Sequence, residues 1–147
     1  MKAISISIIT VFLITLLGCA PKKSTPLVGA WQVVSWERIA GDTLAWKFPG
    51  KDTGSDIIIW SEKYVLSVGR FKHDTTYINN SVGGSYTLEG TRYEETLIYF
   101  PDSTQIGKKV VILTEFKNDT LIRTYPVKEN GQIDKSNYLK EKLVRLD

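Results

Sequence analysis

The chain has 147 residues, 42% of them apolar and 11% aromatic, with 19 Lys and Arg against 16 Asp and Glu, a formal net charge of +3. That length suits one domain, the apolar content suits a packed core rather than a disordered chain, and a charge excess so small and evenly spread is no nucleic-acid footprint. With one cysteine (Cys19) and one histidine (His73), neither an internal disulfide nor a Cys/His zinc site can form, and no residue pattern calls for a cofactor.

The chain opens with Lys2 followed by a charge-free stretch from Ala3 to Leu17, diluted by Ser5, Ser7, Thr10 and Thr15. A membrane-spanning helix wants about 20 apolar residues, so the run is short for a span and fits the apolar core of a signal peptide. It ends in Leu16-Leu17-Gly18-Cys19, which resembles the lipobox of bacterial lipoproteins. The resemblance implies cleavage after Gly18, acylation of Cys19, and a protein lipid-anchored in the cell envelope. Ala20 in place of Asp after the cysteine resembles lipoproteins sent on to the outer membrane of Gram-negative cells. The expected division is therefore a signal peptide over 1–18, a lipidated N-terminus and tether over 19–26, and one domain over 27–147. The tether is polar and carries Pro21 and Pro26, as a spacer should.

From Leu27 onward the apolar pattern has a period of two and is rich in Val, Ile, Thr and aromatic residues, the signature of strands. Eight are expected: Ala30–Arg38, Asp56–Ser61, Tyr64–Phe71, Gly83–Leu88, Thr91–Phe100, Lys109–Phe116, Thr120–Val127 and Asn137–Leu146. Glu62-Lys63, Glu89-Gly90 and Lys117-Asn118-Asp119 are turn-length connections, and Asn130-Gly131 is the pair most favoured in tight hairpins. Short turns imply antiparallel neighbours, and closing the sheet removes its exposed edges. The expected fold is all-β: a single antiparallel up-and-down barrel of about eight strands. Ile39–Ser55, with Trp46, Phe48 and Pro49, is expected to be a loop over one mouth, and Lys72–Val82 a second loop.

Gly29-Ala30-Trp31 at the head of the first strand and Arg145 in the last resemble the lipocalin arrangement, in which a basic residue packs across the tryptophan of a Gly-x-Trp motif. The runs Gly84–Glu95 and Glu141–Arg145 also look like parts of the lipocalin-like (calycin) domains of bacterial lipoproteins. The resemblance implies that Gly29, Trp31 and Arg145 plug the base of the barrel, where a cation on an indole face contributes about 0.5–2 kcal/mol.

Residues for catalysis are scarce. His73 and Asp74 share a polar segment without further ligands at a metal-binding spacing, no Gly-x-Ser-x-Gly elbow occurs, and Gly83-Gly84 opens no phosphate loop. Glu94 and Glu95, adjacent on a strand, point to opposite faces. The expectation is a non-enzyme. Binding has more material. Leu121, Arg123, Tyr125 and Val127 share one strand face, and Tyr93, Glu95, Leu97 and Tyr99 share another. Turned inward, Arg123, Tyr125, Tyr93 and Glu95 would be the polar groups of a ligand site walled by Trp60 and Tyr99. Arg-x-Tyr is similar to the carboxylate-holding pair of fatty-acid-binding barrels, which implies a fatty acid held by Arg123 and Tyr125. Two other arrangements fit the same alternation: an exposed Arg123–Glu95 pair worth under about 1 kcal/mol, or an internal salt bridge without a ligand. Two functions follow. One is a small hydrophobic or amphipathic ligand carried in the barrel; the other is a non-enzymatic protein-interaction or assembly lipoprotein whose barrel is filled by its own side chains. Interior volume separates them.

Overall fold

The computed structural model describes residues 24–50 and 52–147. The signal peptide, Cys19 and the tether as far as Lys23 lie outside the described residues.

The chain is all-β. Nine strands follow in order: β1 Gly29–Ala40, β2 Thr43–Phe48, β3 Thr53–Trp60, β4 Tyr64–His73, β5 Thr76–Glu89, β6 Arg92–Tyr99, β7 Lys109–Lys117, β8 Thr120–Tyr125 and β9 Tyr138–Arg145, with one 3₁₀ turn at Ser103–Gln105. Every pairing is antiparallel, each of β3 to β8 pairs with the strand after it, and β9 returns to β1. Eight strands thus close on themselves and β2 is extra. Closure leaves the barrel wall without a free edge, which satisfies the backbone groups that an open sheet would expose.

The two expected loops are strands instead, which corrects that reading. Within Ile39–Ser55, Thr43–Phe48 forms β2 and pairs with the far half of β1, from Trp36↔Phe48 to Ala40↔Thr43, while β3 pairs with the near half, from Gly29↔Trp60 to Gln32↔Ile57. β1 is too long for β3 to cover, and β2 takes up the remaining edge. Lys72–Val82 extends the β4–β5 hairpin to His73↔Thr76, turning at Asp74 with φ 50°. Its composition of Asn, Thr and Ser masked a strand whose partner supplies the order. A turn does form at Asn130-Gly131, but only Gly131, at φ 81°, takes the left-handed conformation, inside a small bend bridged by Val127↔Ile133.

The two ends of the barrel differ. At the base, Trp31, Trp60, Tyr93, Tyr86, Leu27, Leu121 and Leu143 are buried together. Trp31 meets Trp60 and Phe116 edge-on at 6.5 and 6.1 Å. The Arg145 guanidinium lies 4.5 Å from the Trp31 ring centroid and donates to the carbonyls of Val28 and Pro26 at 2.8 and 2.7 Å. The Trp31 indole N–H donates to the Leu27 carbonyl at 2.8 Å. Gly29 has φ +132°, and a Cβ there would sit 2.5 Å from Arg145 Nη1, so glycine lets the arginine cross the chain. The opposite end is rimmed by β2, the β4–β5 turn and the connections around the 3₁₀ turn and after β8.

Two β-bulges decide which side chains reach the interior. In β1 the pairing with β9 shifts between Val33 and Ser35. Val34 is thereby extra, and Trp36 turns inward after Trp31 and Val33. In β6, Leu97 faces Gly84 and Tyr99 faces Gly83, so Ile98 is extra and the alternation reverses beyond it. An inserted residue of this kind re-aims the strand. Gly84 permits the close approach, since a Cβ there would collide with the Thr96 carbonyl oxygen.

Candidate functional site

Above the packed base lies a cavity of about 350 Å³, which is roughly a dozen waters' worth of liquid. Its apolar wall comes from Ile58, Val65, Val82, Leu97, Val110, Ile112 and Leu139, with Trp36, Phe100 and Pro101 towards the open end. Its polar groups are Asp56, Ser67, Asn80, Glu95, Arg123, Tyr125 and Glu141. They come from β3, β4, β5, β6, β8 and β9, so most of the barrel converges on the cavity.

Arg123 and Glu141 are direct cross-strand neighbours. Their side chains are only 9% and 6% exposed, with Arg123 Nη1 3.1 Å from Glu141 Oε2. The Tyr125 hydroxyl donates to Glu141 Oε1 at 2.5 Å. The guanidinium carbon lies 5.6 Å from the ring centroids of Trp60 and Tyr93 and 6.0 Å from that of Tyr125. Burial works against the charge of Arg123, but Glu141 foremost, with Tyr93, Tyr125 and Glu95, outweighs it, so its pKa lies above the ordinary value. The arginine stays a cation. Burial, then the Glu141 charge, lifts the Tyr125 phenol well above its usual range, which keeps it a donor. The Trp36 indole N–H faces Tyr125 without completing a hydrogen bond, and Arg123 Nε and Glu141 Oε2 also lack one.

Two further carboxyls share this interior. Tyr93 O–H donates to Glu95 Oε2 at 2.9 Å and itself accepts from the Trp60 indole at 3.3 Å. Asp56, 2% exposed, accepts from Ser67 at 2.9 Å and Asn80 at 2.8 Å. Burial is the largest influence on both acids and raises both pKa values, opposed for Glu95 mainly by Arg123 and for Asp56 mainly by the hydrogen bond from Asn80.

Of the six residues read from the sequence as a ligand site, Arg123, Tyr125 and Glu95 line the cavity. Tyr93 and Trp60 are buried beneath it as its floor. Tyr99 is corrected: the β6 bulge turns it out to 67% exposure, and Phe100 takes its place at the wall. Sequence reasoning missed Asp56, Ser67, Asn80, Trp36 and Glu141. Glu141 was legible as the cross-strand partner of Arg123 once the last hairpin is drawn; Trp36 was not, because its orientation depends on the bulge. The base plug of Gly29, Trp31 and Arg145 has the geometry set out above. Among the described residues, no group of three His, Cys, Asp or Glu is placed to hold a metal ion.

His73 is not a lone solvated side chain. Its Nδ1 lies 2.5 Å from Asp52 Oδ1, and Asp52 Oδ2 accepts from the Trp46 indole at 3.0 Å. This latch ties the end of β4 to the free edge strand β2, whose Phe48 packs edge-on against Phe71 at 5.3 Å and whose Trp46 packs against Trp36 at 6.1 Å. The hydrogen bond to Asp52, then its charge and that of Asp74, raises the His73 pKa. The bond from His73, then that from Trp46, lowers that of Asp52. A raised histidine contributes stability that is full below its ordinary pKa and is lost as pH rises through the folded value. A lowered carboxyl contributes above its ordinary range and is lost as pH falls through its folded value. Acrylamide quenching of Trp46 fluorescence should therefore be least at mildly acidic pH and grow on both sides. His73→Ala should remove the alkaline limb, and an unchanged limb would mean that the latch does not hold β2.

These features define the class: a closed eight-stranded antiparallel β-barrel with a ninth strand on its rim and a charged, partly apolar cavity at one end. No protein-family model matches the chain, and no curated protein matches it significantly.

Proposed function

We propose that the protein is a lipid-anchored, lipocalin-like lipoprotein of the bacterial envelope, most simply of the outer membrane, that holds a small hydrophobic or amphipathic ligand inside its barrel. One observation carries the ligand reading. The interior above the base is left as a cavity of about 350 Å³ whose apolar wall converges on three carboxyl groups and a guanidinium, in the size range of small-molecule sites. A barrel serving only as a scaffold would gain by filling that space, and apolar residues of similar volume often stabilise a fold as well as a buried ion pair does. The described chain enters at the base, so a tether over 19–26, spanning at most roughly 28 Å at full extension, would leave the mouth facing away from the anchoring bilayer. Ligand would then enter from the aqueous side.

The test is solvent extraction of the natively purified full chain followed by mass spectrometry, beside a Val110→Trp variant that occupies the cavity. A small molecule present at near-stoichiometric amount in the wild type and lost in the variant is the expected result; none in either would overturn the reading. Intact-mass measurement of the same sample should find acylated Cys19 as the N-terminus, and an unmodified Met1 would overturn the anchor.

The alternative, a protein-interaction lipoprotein, has one observation in its favour. Ile57↔Val68 and Ile59↔Leu66 are cross-strand pairs on the outer face, all four exposed, and Leu66 and Tyr99 both lean over Gly83. This apolar strip is of the kind that contacts other proteins. On that reading the extraction finds nothing.

A further inference from the structure

The charge of the same cavity limits what it can take, an inference that rests on the ligand reading above. Its ionisable wall is three carboxyls, Asp56, Glu95 and Glu141, against one guanidinium, Arg123. Most neutral donors around it are already engaged: Tyr93 gives to Glu95, Tyr125 to Glu141, and Ser67 and Asn80 to Asp56, while the buried Trp36 indole N–H, turned towards Tyr125, has no partner. Glu95, 6% exposed, receives only the Tyr93 hydroxyl, on Oε2, so its other oxygen borders the cavity without a hydrogen bond. An ammonium in the cavity would give that oxygen a charge-assisted hydrogen bond. The N–H groups of Arg123 are what an anion would seek, but Glu141 Oε2 already lies 3.1 Å from Nη1, and Nε is buried. An anion arriving there would sit among three acidic side chains, and like charges in a partly desolvated space repel strongly.

We infer that the cavity selects a small apolar molecule bearing an amine, with its ammonium seated against Glu95 in a cavity that Asp56 and Glu141 also make acidic, rather than a fatty acid or other carboxylate. This replaces the role of Arg123 and Tyr125 as holders of a ligand carboxylate: the carboxylate they hold is Glu141. The ammonium supplies the donors that Glu95 lacks, and its charge offsets the acidic excess. Specificity of this kind comes as much from repulsion of the wrong ligand as from attraction of the right one.

The test uses the full chain in lipid nanodiscs and three water-soluble probes on one C9 skeleton: 3-phenylpropylamine, 3-phenylpropanol and 3-phenylpropionate, titrated by calorimetry at neutral pH. The amine should bind at least about tenfold more tightly than the carboxylate, a gap of about 1.4 kcal/mol, with the alcohol between them. Glu95→Gln should lower the ratio of amine to alcohol affinity; should that variant lose its near-ultraviolet circular dichroism, Asp56→Asn replaces it. An alcohol or carboxylate that binds as tightly as the amine overturns the inference and leaves the ligand reading intact. Binding by none of the three overturns the inference also, while the ligand reading then stands or falls on the extraction experiment.

Discussion

Arg123→Met should cost about 3–5 kcal/mol of unfolding free energy, the range for breaking a buried ion pair by removing one partner. The methionine fills much of the same volume, so the loss is electrostatic rather than a cavity effect. Glu141, 5% exposed, would keep the Tyr125 hydrogen bond but lose the cation beside it, and Glu95 and Asp56 would lose the charge that opposes their desolvation. Against a typical total of 5–15 kcal/mol, this is a large share. Urea denaturation followed by circular dichroism gives the number. Replacing both partners, Arg123→Met with Glu141→Leu, should recover most of it, because no charge is then left unpaired in that pair.

The pH dependence of the single variant has a definite sign. Glu95 and Asp56 are raised in the folded protein, so the folded state binds protons more strongly than the unfolded chain and gains stability as pH falls towards the ordinary carboxyl range. Without Arg123 the Glu95 pKa rises further. The deficit of Arg123→Met relative to wild type should therefore shrink on acidification. A deficit under about 1 kcal/mol, or one that grows at low pH, would mean that the charges are solvated through the mouth rather than paired.

The second large effect is at the base. Trp31→Ala should lose about 3–5 kcal/mol, the range for truncating a buried aromatic residue, since the ring is 2% exposed and packs on Trp60, Phe116 and Arg145. Arg145→Ala removes the cation from the indole face and the two bonds that hold Pro26 and Val28 across the barrel end. Because the two side chains touch, the double variant should be less destabilised than the sum of the singles by about 0.5–3 kcal/mol. Strict additivity would show that Arg145 acts on the N-terminal segment alone.

Alternation by itself determined much of this protein. Val, Ile and aromatic residues at every second position settle the strands, and short turns at Glu62-Lys63, Glu89-Gly90 and Asn118-Asp119 settle their antiparallel order, because both are local properties of the chain. Arg123, Tyr125 and Glu95 were legible as inward polar residues for the same reason: no irregularity separates them from the buried Leu121, Tyr93 and Leu97 on their strands. What the tertiary structure decided lies beyond the places where the period breaks. One extra residue at Val34 brings Trp36 into the cavity, and one at Ile98 sends Tyr99 out and brings Phe100 to the wall. The first bulge has no local signature and is set by pairing with β9 at the far end of the chain; the second lies opposite Gly83-Gly84 of the neighbouring strand, a mark that does not say where the alternation reverses. The same is true of Asn80, whose polar surroundings read as loop until β4 pairs with it, and of β2, whose strand character comes from the unmatched half of β1. The charge of the site was the last thing fixed, because Arg123 finds Glu141 only when the barrel's final two strands align, and that contact turns an apparent anion holder into one half of an internal pair.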